Sequence, residues 1–170
     1  MNALELLKKQ HREADELFEK LEKASLEQKD ELFDKLADAL AVHTMIEEKH
    51  FYPASMVGSD TEELLRAAVE EHLGIKRFIA DLLEIDAGDP TFDAKVNVLK
   101  EQVQHHVKEE EDELFPKVEK LLDESRLDEL GVTMAAMTRS LQGMDPRNDI
   151  PRQTRAAASV ESEDKGRRAA

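Results

Sequence analysis

Apolar residues recur along this chain at mixed steps of three and four, and that spacing predicts amphipathic helices rather than strands. A first helix is predicted over about 2–24, with Leu4, Leu7, His11, Ala14, Phe18 and Leu21 on one stripe. A second, about 28–52, carries Leu32, Leu36, Leu40, His43, Glu47 and His50, and Pro53 with the turn-rich residues after it ends the helix. A third, about 61–85, places Leu65, Val69, His72, Ile75, Ile79 and Leu82 inward, with Asp60 or Thr61 and Glu63 as its N-terminal cap. After a turn at Ala-Gly-Asp-Pro (87–90), a fourth helix over about 91–123 aligns Leu99, Val103, His106, Glu110, Leu114 and Val118. Residues 127–141 support a short fifth helix, weakened by Gly131.

Four long helices joined by short turns predict an all-α domain, an up-down-up-down antiparallel four-helix bundle over 1–124. A short extra C-terminal helix occupies 125–143. From residue 144 the chain changes character: Pro146, Pro151, an Ala run and scattered Arg predict a disordered tail over 144–170. No alternating pattern suggests a sheet.

Composition narrows the function classes. With aromatics at 4%, the core must be mostly Leu, Ile, Val, Ala and Met, and 37% charged residues suit long helices with solvated outer faces. A net charge of −15 argues against nucleic acid or an anionic membrane as partner. The chain has no cysteine, which excludes disulfides, thiolate metal sites and thiol catalysis. The N-terminus lacks a signal-peptide pattern, and no apolar run approaches the roughly 20 residues that span a bilayer, so a cytoplasmic protein is expected. Nothing in the sequence identifies a protein partner.

The chemistry lies in a motif used twice. His43-Thr-Met-Ile-Glu47-Glu48-Lys-His-Phe-Tyr52-Pro53 and His106-Val-Lys-Glu-Glu110-Glu111-Asp-Glu-Leu-Phe115-Pro116 each set a Glu four residues after a His, then a second Glu, an aromatic and a proline. Residues four apart share a helix face. Upstream of each motif a helix carries one central His, His11 and His72, at offsets of 61 (72 − 11) and 63 (106 − 43) between the halves. Two copies of a helical hairpin are expected, each supplying two His and one Glu.

Burying two unpartnered carboxylates is unfavourable, and no Lys or Arg lies on these stripes beside them. A pair of divalent or trivalent metal ions resolves the conflict. His11, His43, His72 and His106 offer nitrogens, and Glu47 and Glu110 can each bridge two ions, a mixed nitrogen and oxygen set of the kind that holds redox-active iron. His105 also has a Glu four residues on, Glu109, but its stripe is polar and solvent-facing. His50 has no counterpart in the second copy and reads as a supporting or structural residue. No general acid or nucleophile is evident outside the metal ligands.

These residues make the chain resemble the hemerythrin-like, or HHE cation-binding, family over about residues 4–120: a lone His11, the His43/Glu47 pair, a lone His72 and the His106/Glu110 pair, with aromatic-Pro flanks. The resemblance implies a four-helix bundle around a non-haem di-iron centre, oxo- or hydroxo-bridged, with the carboxylates bridging and the imidazoles terminal. It implies dioxygen, peroxide, nitric oxide or another small molecule as ligand. Three roles follow: binding such a ligand, turning over peroxide or nitric oxide as an enzyme, or sensing and storing iron. The chain departs from the family's oxygen carriers in two places. Lys76 stands where they have a further His, and His106-x-x-x-Glu110 stands where they have His-x-x-x-x-Asp. Reversible oxygen carriage therefore does not transfer directly.

Overall fold

The structure, a computed structural model, describes residues 1–163. Its elements are α1 (Ala3–Lys23), α2 (Leu26–Ile46), a π turn (Glu47–Phe51), α3 (Tyr52–Ser55), α4 (Ser59–Leu83), α5 (Phe92–Glu109), a second π turn (Glu110–Leu114), α6 (Phe115–Leu121), α7 (Glu124–Leu141), a 3₁₀ turn (Pro146–Asp149) and α8 (Ile150–Gln153). The expected all-α bundle is present. α1, α2 with α3, α4, and α5 with α6 are its four long members, running up, down, up and down, and no strand occurs among the described residues.

The inward stripes of the first, third and fourth helices are buried as the periodicity predicts. On α2 the buried line runs through Phe33, Leu36, Ala37 and Leu40, while Leu32 is only half-buried. The core is divided in two. One apolar cluster contains Leu4, Leu7, Phe51, Leu65, Phe115 and Val118. The other contains Phe18, Phe33, Leu36, Ile79, Phe92 and Leu99. On each long helix the candidate ligands lie between the residues of these two clusters, as a polar layer across the middle of the bundle.

Both His-x-x-x-Glu motifs end in a π turn that begins at the Glu. The Tyr52 N–H donates to the Glu47 carbonyl and the Phe115 N–H to the Glu110 carbonyl, each five residues back. Pro53 and Pro116 follow at once and lack the donor a regular ladder would use. Pro53 therefore does not stop the second helix as expected, because the ladder has already shifted, and the helix continues to Ser55.

Two other expectations are corrected. The third helix starts at Ser59 with Gly58 as its cap, and the Thr61 hydroxyl donates to the Gly58 carbonyl instead of capping the N-terminus. The segment from 144 is not a disordered tail within the described residues. Pro146 and Ile150 are buried, and the Arg147 guanidinium holds Asp38 at 2.5 Å and Asp34 at 3.2 Å, fastening the segment to α2. Composition alone hid one isoleucine and one arginine with partners 100 residues away. The part of that expectation covering 164–170 lies outside the described residues.

Gly131 also has a packing role rather than merely weakening α7. A Cβ there would lie 2.6 Å from the Met1 carbonyl oxygen and 2.8 Å from the Asn2 carbonyl carbon. Only glycine lets α7 approach the start of α1 this closely. Asn2 in turn caps α1 through a reciprocal pair of bonds with Glu5.

Candidate metal centre

The structure brings all six sequence-predicted residues into one buried cluster: His11, His43, Glu47, His72, His106 and Glu110 are each at most 7% exposed. The donor atoms of His11, His43, Glu47 and Glu110 lie within 4.8 Å of one another, as do those of Glu47, His72 and His106. Each carboxylate reaches both halves. Glu47 Oε2 is 3.2 Å from His43 Nε2 and 3.2 Å from His72 Nε2. Glu110 Oε2 is 3.3 Å from His11 Nε2 and 3.6 Å from His106 Nε2. Donors held about 2.0–2.2 Å from a shared ion stand about 3–3.5 Å apart, so these spacings suit bound cations.

The outer ring nitrogens explain the orientation of the imidazoles. His11 Nδ1 meets Glu111 Oε1 at 2.7 Å, His72 Nδ1 meets Glu48 Oε1 at 3.0 Å, and His106 Nδ1 meets Glu71 Oε2 at 2.7 Å. His43 Nδ1 meets Gln10 Oε1 at 2.9 Å. These oxygens only accept, so each Nδ1 donates to its partner and each Nε2 is turned inward toward the cluster. The pattern follows the internal repeat. The residue after each motif Glu supports a lone His, and the residue before each lone His supports a motif His. Sequence reasoning noted Glu48 and Glu111 only as part of the motif and passed over Gln10 and Glu71; the signal was their adjacency to ligands in both copies.

The cluster is electrostatically incomplete without cations. Among the described residues, five buried side-chain polar atoms lack a hydrogen-bond partner, and four are His11 Nε2, His43 Nε2, Glu47 Oε1 and Glu110 Oε2. His72 Nε2 and His106 Nε2 meet at 3.0 Å, both turned into the cluster. Burial, and then the nearby Glu110, push the Glu47 carboxyl well above the usual range. Burial acts the same way on Glu110, but the imidazoles of His106, His11 and His43 outweigh it and hold that carboxyl low. Burial and the neighbouring His106 lower His72 to about 4, keeping it neutral. The residues present therefore fit bound metal cations.

One member was missed. Tyr52 is fully buried, and its hydroxyl donates to Glu110 Oε1 at 2.9 Å while lying 3.1 Å from His72 Nε2 and 3.4 Å from Glu47 Oε2. Burial and the carboxylates of Glu110 and Glu47 push its phenol well above the ordinary value, so it holds its proton. A 3.6-residue period places Tyr52 off the Glu47 face; the extra residue of the π turn brings it back.

The remaining candidates separate cleanly. His105 is 64% exposed and pairs with Glu109 at the surface. His50 is half-buried and does not join the cluster. Lys76 corrects the expectation that no cation lies on the stripes: it is buried, but its ammonium bonds to Glu48 at 2.6 and 2.8 Å rather than entering the cluster.

The centre has a closed and an open side. Phe51, Tyr52 and Phe115 seal one face, with Phe115 stacked on His11 at 5.9 Å and Tyr52 on His72 at 5.3 Å. On the other, a cavity of about 250 Å³ touches all four imidazoles and reaches the surface beside Glu13 and Gln142.

Comparison with known proteins places the fold. The sequence profile described as Hemerythrin HHE cation binding domain matches residues 2–118. The fold is similar to the crystal structure of a hemerythrin HHE cation binding domain-containing protein from Mycobacterium kansasii. The two share 30% identity at a TM-score of 0.73, over 85% of this chain and 89% of that one. No curated protein matches the chain. No helix among the described residues is long and apolar enough to cross a membrane.

Proposed function

This chain belongs to the hemerythrin HHE cation-binding domain family, and on that premise we propose that its buried cluster holds two non-haem iron ions that bind and react with dioxygen or a related small ligand. His11 and His43 would serve one ion, His72 and His106 the other, and Glu47 and Glu110 would span both. The observation that carries this reading is the convergence of four Nε2 atoms on two carboxylates, each near imidazoles of both halves. Sets of two imidazoles with carboxylates and no sulfur suit iron with an open position.

The iron pair, when bound, supplies redox chemistry, and the chain supplies its setting. Glu111, Gln10, Glu48 and Glu71 hold the imidazole tautomers and ring planes. Phe51 and Phe115 exclude water from the sealed face. The two halves differ: Tyr52 places a hydroxyl beside His72 and His106, whereas Phe115 lies against His11. An incoming ligand is expected from the cavity, which touches the imidazoles of both halves.

Turnover of peroxide is favoured over reversible oxygen carriage by that hydroxyl. Tyr52 stores a proton within the centre, which a reduction consumes and a carrier must withhold. Metal analysis after expression with iron is expected to give two irons per chain, and one ion per chain or zinc alone would refute the di-iron reading. Mixing the reduced protein with oxygen and then evacuating should leave it oxidised; full reversal would restore the carrier.

A further inference from the structure

The cavity beside the imidazoles is much larger than dioxygen or hydrogen peroxide requires. It has a volume of about 250 Å³, whereas a water needs only about 10–15 Å³ and an apolar cavity of roughly 150 Å³ accepts benzene. A surface-open cavity with apolar walls and a few convergent polar groups at its inner end is the form of a small-molecule site.

The lining describes that occupant. Ala14, Leu40, Ile75, Val103 and Val107 form apolar walls, one or more from each long helix, with His11, His43, His72 and His106 at the inner end. Leu141, Gly143 and Pro146 roof it, from a segment beyond residue 118, where the family match ends. Arg147, bound to Asp38, pins the roof to α2. No Lys or Arg lines the cavity, and Glu13 and Asp38 stand in its wall. Away from the imidazole end the walls offer no cation to a carboxylate or phosphate, so the body of the occupant is uncharged.

We propose that this cavity binds a neutral organic hydroperoxide with an aryl or branched-alkyl body, and the alcohol formed from it. The oxygen end faces the imidazoles and the body lies against Ala14, Leu40, Ile75 and Val103. The proposal rests on the peroxide reading above and names its substrate class. Reduction breaks the O–O bond, takes two electrons from the reduced metal pair and two protons, and leaves one alcohol and one water.

The first measurement is calorimetric titration of the iron-loaded protein with 2-phenyl-2-propanol, which has the organic body but no O–O bond. It is expected to bind at least tenfold more tightly than methanol, with a negative heat-capacity change. Ala39→Phe and Val107→Phe, which add bulk to the lining from two different helices, are each expected to weaken it tenfold or more. In stopped-flow oxidation of the reduced protein, the ratio of the rates with cumene hydroperoxide and hydrogen peroxide is expected to fall at least tenfold in the same variants. Absence of aryl alcohol binding, or binding unchanged in both folded variants, overturns the proposal while oxidation by hydrogen peroxide leaves the peroxide reading standing. If neither peroxide oxidises the protein, both fail. Should the bulky variants not fold, the bromine signal of a 4-bromophenyl analogue soaked into crystals decides: inside this cavity supports the proposal, elsewhere overturns it.

Discussion

Tyr52 and Phe115 occupy equivalent places in the two halves of the bundle, 63 residues apart (115 − 52), each directly after a π turn and before a proline. Their rings stack on the two lone histidines, Tyr52 on His72 and Phe115 on His11. Only Tyr52 carries a hydroxyl into the centre, and it reaches both carboxylates. The internal repeat therefore builds a nearly symmetric ligand set and a deliberately unequal surround.

Tyr52→Phe isolates that inequality, because the ring stays and one oxygen leaves. The variant is expected to keep its helical circular dichroism and its iron content. Its oxidation by peroxide is expected to slow about a hundredfold, in line with loss of a positioned acid. Stopped-flow absorbance checks this, and an unchanged rate would show that the hydroxyl is not used.

Glu47→Ala and Glu110→Ala are each expected to remove both ions, since each carboxylate lies near imidazoles of both halves. Glu71→Gln and Glu111→Gln alter the outer hydrogen bonds of His106 and His11, and are expected to weaken metal affinity about 10- to 100-fold without abolishing it. Competition with a chelator measures the difference. His105→Ala, at an exposed position, is expected to leave metal content unchanged.

Ile150 is fully buried in the cluster with Phe18, Phe33 and Leu36. Ile150→Ala is expected to destabilise the protein by about 2–5 kcal/mol in denaturant unfolding. Removing residues 145–170 should lower the melting temperature further, because Arg147 and its bonds to Asp38 go with it. An unchanged melting temperature would show that this segment does not pack on the bundle in solution.

Gly131→Ala tests the approach of α7 to the start of α1. The added methyl meets backbone rather than a movable side chain, so the chain before Leu4 must shift. A loss of about 1–3 kcal/mol is expected. Ala135→Gly, in the same helix at a half-buried position, is the control for intrinsic helix propensity and is expected to have the smaller effect, about 1 kcal/mol.

The periodicity of this sequence determined the helices, the inward stripes of the first, third and fourth, and the six candidate ligands. Those features are local: a His and a Glu four apart share a face wherever the helix lies, and a repeat declares itself at a fixed offset. Four other things depended on tertiary structure. Glu71 and Gln10 became supports only when facing helices met, since a residue beside a ligand looks like any surface position in the chain. Tyr52 entered the centre because a π turn adds a residue to the period that sequence reading assumes. The segment after 144 packs because Ile150 and Arg147 find partners more than 100 residues away, which composition cannot register. The cavity, finally, is space bounded by five separate stretches of chain, and a volume between helices has no signature in any one of them.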